Sequence, residues 1–315
     1  MAQQRTPGIS AFLHLLHETP EFTGLADFHA RHARILPNVR TIYRWQRRAR
    51  ITHYPNIRYK CLGLVRCHVI APPGAPLPPW VISARYARSG LGPTFLYLEC
   101  LVPQATLDGF LGAARDAGAS AWVTDDPWQE LPGGRRTMSA SPELDPWERP
   151  EDGFPLVVLV AVEALGGQSL DGLWRAIHAR LGERVWQYLP RGVRRLPHNG
   201  KRYVRLALER LSAAGLIRQN MIRQQHTDAL ELLVIAPLGR DERAEWTARL
   251  STSAADIQLY DGSTTILRVA ARMQTLQELL ALTERTPAQL YLLTAAVPAR
   301  FSYEHLDPRT GSWAS

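Results

Sequence analysis

The residues best placed for chemistry are arginines that recur on one face of a segment with helical spacing. In residues 39–50, Ile42, Trp45 and Ala49 share one face of a helix, and basic side chains occupy most of the other. Arginine forks pair with phosphates and with guanine edges, so this helix predicts contact with a polyanion such as duplex DNA. The candidate contact residues are Arg40, Thr41, Arg44, Arg47 and Arg48.

A second basic helix is predicted further along the chain, over residues 201–214, with Gly215 as its C-cap. Two alternatives to DNA contact stay open for both helices. An arginine-rich helix can simply be a solvated surface, and three-helix units also serve as dimerisation or protein-docking modules. The candidate DNA contacts on this second helix are Lys201, Arg202 and Arg205.

Charge is distributed unevenly along the chain. It has 315 residues, with 37 Lys and Arg against 29 Asp and Glu, and a net charge of +8. This charge divides into +8 for residues 1–123, −5 for residues 124–160 and +5 for residues 161–315. Two basic blocks on a mixed chain are typical of proteins that bind a polyanion.

Composition excludes several classes of protein. A hydrophobic fraction of 45% with 21% charged residues is that of a globular chain, and excludes a disordered chain, a collagen or a coiled coil. The longest apolar run, residues 154–162, is too short for a membrane helix, and no signal-peptide pattern is present. Three cysteines without CxxC spacing give no disulfide framework. We therefore expect a cytoplasmic protein without membrane contact.

The chain contains an internal repeat. Corresponding segments occur in the same order in both halves, and the offset between them grows from 160 to 165 to 169 residues because of small insertions. A two-part module of this length has been duplicated. The matching segments are 36–38 with 196–198, 69–74 with 234–239, and 106–107 with 275–276.

Each copy of the module combines three helices, a β arm and an α/β part. Three short helices with a basic third helix and a β arm are typical of a winged helix-turn-helix, whose wing reaches the DNA backbone. The second part follows the order βαββαβ of a ferredoxin-like domain. The fold class is α+β. The expected domains are winged helices at 1–58 and 153–225, ferredoxin-like domains at 59–124 and 226–315, and an extended, solvated acidic linker at 125–152.

The two ferredoxin-like copies are expected to differ and to pair. In the first copy a Pro-rich stretch, residues 73–79, separates the first two strands, so its first helix should be missing or reduced to a turn. A sheet with one uncovered face must bury that face. One chain supplies two such sheets, so we expect an intrachain pseudo-dimer, with a homodimer of chains as a further state.

This organisation resembles the leucine-responsive regulator (Lrp/AsnC) family of transcription factors. The resemblance rests on the segment 54–64 before the first sheet strand and on the turns at 91–94 and 260–263. It implies a transcriptional regulator that binds double-stranded DNA and a small-molecule effector site at the ferredoxin-like domains. The turns depart from the usual family sequence, so an amino acid is not implied as that effector. The residues that match the effector turn are Tyr260, Asp261 and Gly262.

Two alternative functions stay open beside the regulator. A siroheme decarboxylase is similar in architecture, and would be expected to carry a His–Tyr cluster that the strands around 85–88 and 258–260 lack. A tandem winged-helix replication initiator would explain the basic blocks. No nucleotide-binding, zinc or CxxC motif occurs. We therefore expect a chain that is not an enzyme, without catalytic residues, metal or cofactor.

Overall fold

The computed structural model is an α+β chain, which confirms the predicted class. The structure describes residues 8–18, 25–48, 51–125, 128–131, 135–136, 153–165, 170–189, 197–224 and 229–297. None of the helices within these ranges is long and apolar enough to cross a membrane. The helices are α1 Ile9–Glu18, α2 Leu25–Arg31, α3 Val39–Arg48, α4 Leu107–Asp116, α5 Phe154–Leu165, α6 Leu170–Leu181, α7 Gly200–Ala213, α8 Arg240–Ser251 and α9 Met273–Thr283.

The described strands pair antiparallel throughout. They form a two-stranded sheet and a large sheet of ten strands. Their bounds are β1 Ile51–Ile57, β2 Leu64–Ala71, β3 Val81–Arg88, β4 Thr94–Pro103, β5 Ser120–Thr124, β6 Trp128–Leu131, β7 Arg135–Arg136, β8 Ile217–Gln224, β9 Leu230–Ala236, β10 Asp256–Tyr260, β11 Thr265–Ala271 and β12 Gln289–Val297.

Helices α1 to α3 pack around a small apolar core. Phe12, Phe28 and Ile42 are completely buried in it, and Trp45 packs against the same cluster. Helix α3 begins where the Thr41 backbone N–H donates a hydrogen bond of 3.0 Å to Asn38 Oδ1, which satisfies one of the free donors of the first turn. The apolar face of α3 is therefore held inward, and its opposite face is left to solvent.

Helices α5 to α7 form a second helical unit that is part of a larger core. Apart from Glu163, helix α5 consists of apolar residues on every side, a pattern typical of a buried helix. Its side chains join a cluster that contains Trp174 of α6, Val204 of α7 and, from the first half of the chain, Leu64 and Leu101. This helical unit thus packs against strands β2 and β4 through a shared apolar core.

The two β arms pair with each other. Strand β1 follows α3 and strand β8 follows α7, and the two lie antiparallel from Ile51 opposite Gln224 to Ile57 opposite Ile217. The two arms therefore form one shared two-stranded sheet, and contact of either arm with the DNA backbone stays a prediction. Along their shared edge, the backbone donors and acceptors of the two arms satisfy each other.

The large sheet consists of two sheet units with the same strand order. The first sheet unit, β2 to β5 with α4, has the order β5-β2-β4-β3, and the second sheet unit, β9 to β12 with α8 and α9, has the order β12-β9-β11-β10. Both follow the ferredoxin-like order fourth-first-third-second. Between β2 and β3 the chain runs through turns without a helix, whereas α8 fills the corresponding place in the second sheet unit.

The two sheet units join at both of their edges. Strand β3 pairs with β12, with Ala87 opposite Leu293. At the other edge Thr124 forms a bridge with Gly262, and the Asp125 N–H donates a hydrogen bond of 2.6 Å to the carbonyl oxygen of Asp261. The combined sheet therefore curls until its ends meet.

The linker is not a solvated tether throughout, which corrects the prediction for residues 125–152. Trp128–Leu131 forms β6, which pairs with β10, and Arg135–Arg136 pairs with β6 in turn. Strand β10 would otherwise expose an unpaired edge, and β6 satisfies its backbone groups. The linker residues 126–127, 132–134 and 137–152 lie outside the described residues.

Successive side chains of each strand point to opposite faces of the sheet, and the two faces are buried in different cores. In the first sheet unit Val69 and Leu98 point toward a cluster shared with α4, and in the second Val234 points toward α8 and α9. The opposite faces meet in a third cluster between the sheet units. Its buried members from both halves are Ile70, Ala87, Tyr97, Leu233, Ile235, Tyr260, Ile266, Tyr291 and Leu293.

Candidate active site between the sheet units

Ionisable side chains interrupt the apolar cluster between the sheet units. On β2, Arg66 and His68 share the face of Ile70, because every second residue of a strand points the same way. On β4, Tyr97 and Glu99 point to the same space, and His68 lies directly opposite Glu99 in the strand pairing. The pairing of β2 with β4 thus brings the carboxylate of Glu99, the imidazole of His68 and the phenol of Tyr97 together within the core.

Five ionisable side chains from both sheet units form a chain of alternating charges, which we call the ion network. Arg66 forms an ion pair with Glu99, and Glu99 Oε2 lies 3.4 Å from Nη1 of Arg268 on β11. Nη2 of Arg268 lies 2.6 Å from Oε1 of Glu231 on β9, and Glu231 forms an ion pair with Arg85 on β3. The ion network therefore crosses twice between the two sheet units.

The ion network runs from the interior to the surface. The side chains of Arg66, Glu99 and Arg268 are 5%, 6% and 9% exposed, whereas those of Arg85 and Glu231 are 18% and 23% exposed. Three arginines against two glutamates leave one positive charge in excess. Buried ions are tolerated only when they are paired, as they are along this network.

A histidine and a tyrosine share a buried hydrogen bond beside the ion network. The Nδ1 atom of His68 lies 2.8 Å from the Tyr97 hydroxyl, and both side chains are completely buried. The ring of Tyr260, from the second sheet unit, stands edge-on to the His68 ring at 4.4 Å between centroids. His68 Nε2 has no hydrogen-bond partner within the described part of the chain. One ring nitrogen is thus engaged and the other remains available.

Burial keeps this aromatic group uncharged. It lowers the pKa of His68 from 6.5 to about 3, and the nearby Glu99 opposes that shift only in part. Burial raises the pKa of Tyr97 well above its usual value and that of Tyr260 to about 12. Near neutral pH the cluster therefore contains a neutral imidazole hydrogen-bonded to a protonated phenol.

The ion network stays charged in the same surroundings. Burial by itself would raise the pKa of Glu99, but the positive charges of Arg66 and Arg268 and the hydrogen bond from Arg66 lower it. Burial would lower the pKa of Arg268, and the nearby Tyr260, Tyr97 and acidic groups raise it instead. Fixed charges thus surround a neutral proton donor and acceptor, an arrangement found at catalytic sites.

The predicted DNA-contact residues of the first basic helix lie together on its exposed face. We call Arg40, Arg44, Arg47 and Arg48 the arginine face, and all four are exposed on α3. No ion pair joins these side chains to an acid in the described part of the chain. Thr41 is part-buried and its hydroxyl lies 3.3 Å from Asn38 Oδ1. A solvent-open depression is lined by Arg40, Tyr43, Arg44, Gln46 and Arg47.

The predicted contacts on the second basic helix are partly neutralised. Lys201, Arg202 and Arg205 are all exposed on α7. Nζ of Lys201 lies 3.5 Å from Asp171, and Nε of Arg205 lies 3.7 Å from Glu209. Exposed pairs of this kind are weak, but they lower the positive potential of this helix relative to the arginine face.

The predicted effector turn is packed against the end of β5. Tyr260 is 2% exposed and belongs to the cluster between the sheet units. Asp261 forms an ion pair with Arg243, and a Cβ atom on Gly262 would collide with the carbonyl oxygen of Val123. The structure brings Tyr260 beside His68 rather than into an open turn, and effector binding here stays a prediction.

A His–Tyr cluster is present, but not on the strands around 85–88 and 258–260 on which the sequence analysis looked for it. The histidine lies on a first strand of the sheet and its tyrosine on a third. A sequence signal is present, because Arg66, His68 and Glu99 are polar residues at inward positions of otherwise apolar strands.

Comparison with known proteins identifies the fold. No protein-family model and no curated protein matches the chain. The chain is similar to the crystal structure of siroheme decarboxylase NirDL, with a TM-score of 0.52 and 11% identity, over 93% of this chain and 95% of that one. A structure of the same enzyme in complex with an iron-uroporphyrin III analogue aligns with a TM-score of 0.49 and 10% identity over the same shares.

The first of these likenesses corrects the sequence analysis. The chain shares its fold over nearly its whole length with an enzyme, siroheme decarboxylase NirDL, and this finding contradicts the expectation of a chain that is not an enzyme. Among the three functions that the sequence analysis left open, siroheme decarboxylase is the one named for the matched structure. The duplication of the winged helix itself stays a prediction.

Proposed function

We propose that the chain is a decarboxylase acting on a carboxylate-bearing tetrapyrrole of the siroheme class. The observation that carries the proposal is the neutral His68–Tyr97 pair, held at 2.8 Å among arginines where the two sheet units meet. The support from outside the site is the fold that the chain shares with siroheme decarboxylase NirDL.

The chemistry of decarboxylation matches these side chains. When a carboxylate leaves as CO2, its C–C bond breaks and the electron pair stays on the substrate carbon, which then takes up one proton. A phenol hydrogen-bonded to a neutral imidazole can donate that proton and be reprotonated through the ring. The excess positive charge of Arg66, Arg85 and Arg268 favours an anionic substrate beside the pair.

The accessible end of the ion network is the proposed entrance. His68 has no solvent-exposed surface, so the proposal requires the Arg85–Glu231 ion pair to open when substrate binds. Arg85 would then exchange the carboxylate of Glu231 for one of the substrate, as its fork geometry allows.

The proposed reaction centre occurs once in the chain. In the second sheet unit the positions that correspond to His68 and Tyr97 hold Leu233 and Ile266, which carry no proton donor. From the second sheet unit, Tyr260 lies against His68 and Arg268 contacts Glu99. The test is turnover of siroheme by the purified chain and by a His68→Leu variant, which copies the second unit and should abolish turnover while leaving the fold intact.

A second candidate function, binding of duplex DNA in transcription regulation, is favoured by the arginine face of α3. Its four exposed arginines have no acidic partner in the described part of the chain, in contrast to Lys201 and Arg205. Such a face can neutralise several phosphates at once. The salt dependence of binding to duplex DNA tests this candidate separately from turnover.

A further inference from the structure

The hydrogen-bond registers of the two sheet units correspond position by position. In the first sheet unit His68 on the first strand lies opposite Glu99 on the third. In the second sheet unit Leu233 on the first strand lies opposite Arg268 on the third. Glu99 and Arg268 therefore occupy equivalent positions in the two copies.

The same correspondence holds for the second ion pair of the network. Arg66 precedes His68 by two residues on β2, and Glu231 precedes Leu233 by two residues on β9. Arg66 and Glu231 are therefore also equivalent. Each sheet unit contains one arginine and one glutamate at these positions, and the order of the two charges is reversed between the units.

Equivalent positions meet where the sheet units face each other. Glu99 and Arg268 contact each other at 3.4 Å, although they lie on different sheet units. In a symmetric pair a residue near the symmetry axis meets its own counterpart. Two first sheet units would bring two copies of Glu99 together in the interior, and two second sheet units would bring two copies of Arg268 together.

We propose that the reversed charges are a recognition code that lets a first sheet unit pair with a second sheet unit and not with another first sheet unit. Buried like charges are far more costly than a buried pair of opposite charges, so the code acts mainly by disfavouring the two like-with-like pairings. Arg66, Arg268 and Glu231 also take part in the proposed reaction, but the test of this inference measures stability and not turnover, so failure of one proposal is distinguishable from failure of the other.

The test exchanges charges in the full-length chain. All variants carry Arg85→Gln, because Arg85 contacts Glu231 in only one of the charge states. One double variant, Glu231→Arg with Arg268→Glu, gives the second sheet unit the charges of the first. The other, Arg66→Glu with Glu99→Arg, gives the first unit the charges of the second. Each keeps the ion pair within each unit and makes the contact between units like-charged.

A four-fold variant that combines both exchanges restores opposite charges between the units. We expect each double variant to lower Tm by about 10 °C or more relative to the Arg85→Gln background. The four-fold variant should recover most of that loss, and should fold even if a double variant does not. The proposal is overturned if the four-fold variant is no more stable than the double variants, or if the double variants match the background.

Discussion

The Nδ1 atom of His68 lies 2.8 Å from the hydroxyl of Tyr97, and neither side chain has any solvent-exposed surface. The hydrogen bond is formed by only one of two otherwise corresponding sheet units, since Leu233 and Ile266 stand at the equivalent positions. A duplicated fold thus contains a single polar centre, and the second unit closes it with Tyr260 and Arg268. This asymmetry distinguishes a specialised site from a structural feature common to both copies.

The buried neutral state of His68 makes stability depend on pH. Its pKa is lowered from 6.5 to about 3, so below pH 6.5 the unfolded chain binds a proton that the folded chain does not. The free energy of unfolding should therefore decrease as the pH is lowered from about 6.5 to about 3. His68 should contribute roughly 1.4 kcal/mol of this decrease per pH unit. Denaturant unfolding of wild type and His68→Gln at several pH values measures this contribution. Parallel pH profiles of the two proteins would contradict it.

Replacing Tyr97 with Phe removes the hydroxyl and keeps the ring, so it distinguishes a role in proton transfer from a role in packing. Tyr97→Phe should lower kcat for decarboxylation by roughly 10²-fold or more, because a positioned proton donor is removed. Tyr291→Phe is the matched control, since Tyr291 also lies between the sheet units and its hydroxyl bonds only Gln289 among the described contacts. Steady-state kinetics of both variants give the comparison. Equal effects in the two variants would assign Tyr97 a packing role alone.

Closure of the sheet depends on the absence of a side chain at Gly262. A Cβ atom there would collide with the backbone carbonyl of Val123, so Gly262→Ala should destabilise the chain by about 1–3 kcal/mol. At Gly112 on α4 a Cβ atom meets nothing within 4 Å, and Gly112→Ala should be neutral or stabilising by up to about 1 kcal/mol. Chemical denaturation of both variants checks this. A Gly262→Ala protein as stable as wild type would contradict closure at this edge.

The arginine face predicts a salt-dependent interaction with DNA. Changing Arg44 and Arg48 to Ala should reduce the slope of log affinity against log salt by about 0.9 for each phosphate that is no longer neutralised. Arg115→Ala with Arg240→Ala removes the same charge from exposed positions elsewhere and should leave the slope nearly unchanged. Fluorescence anisotropy with duplex DNA provides the slopes. An unaltered slope for the Arg44 and Arg48 variant would show that these two arginines do not contact DNA phosphates.

Local patterns predicted the elements well but not their long-range partners. The Pro-rich residues 73–79 predicted that a helix is missing from the first sheet unit, and the chain there turns without one. The pairing of Ile57 with Ile217 joins residues far apart in sequence, and periodicity carries no information about such partners.

The candidate site could not be predicted from the sequence because its residues are also long-range partners. His68, Tyr97 and Tyr260 lie on three strands from two copies of the repeat, and no spacing along the sequence connects them. Their meeting depends on how the sheet curls and closes. Inverted charges at Glu99 and Arg268 are visible once the repeat is aligned, but only the fold shows that these equivalent residues touch.

The central claim is tested most directly by incubating the purified chain with siroheme in D2O under anaerobic conditions and analysing the tetrapyrrole by mass spectrometry. The account predicts loss of CO2 with incorporation of one deuteron at each carbon that loses a carboxylate, and no such product with His68→Leu. Recovery of siroheme unchanged by the wild-type chain, or equal turnover by wild type and His68→Leu, would contradict it.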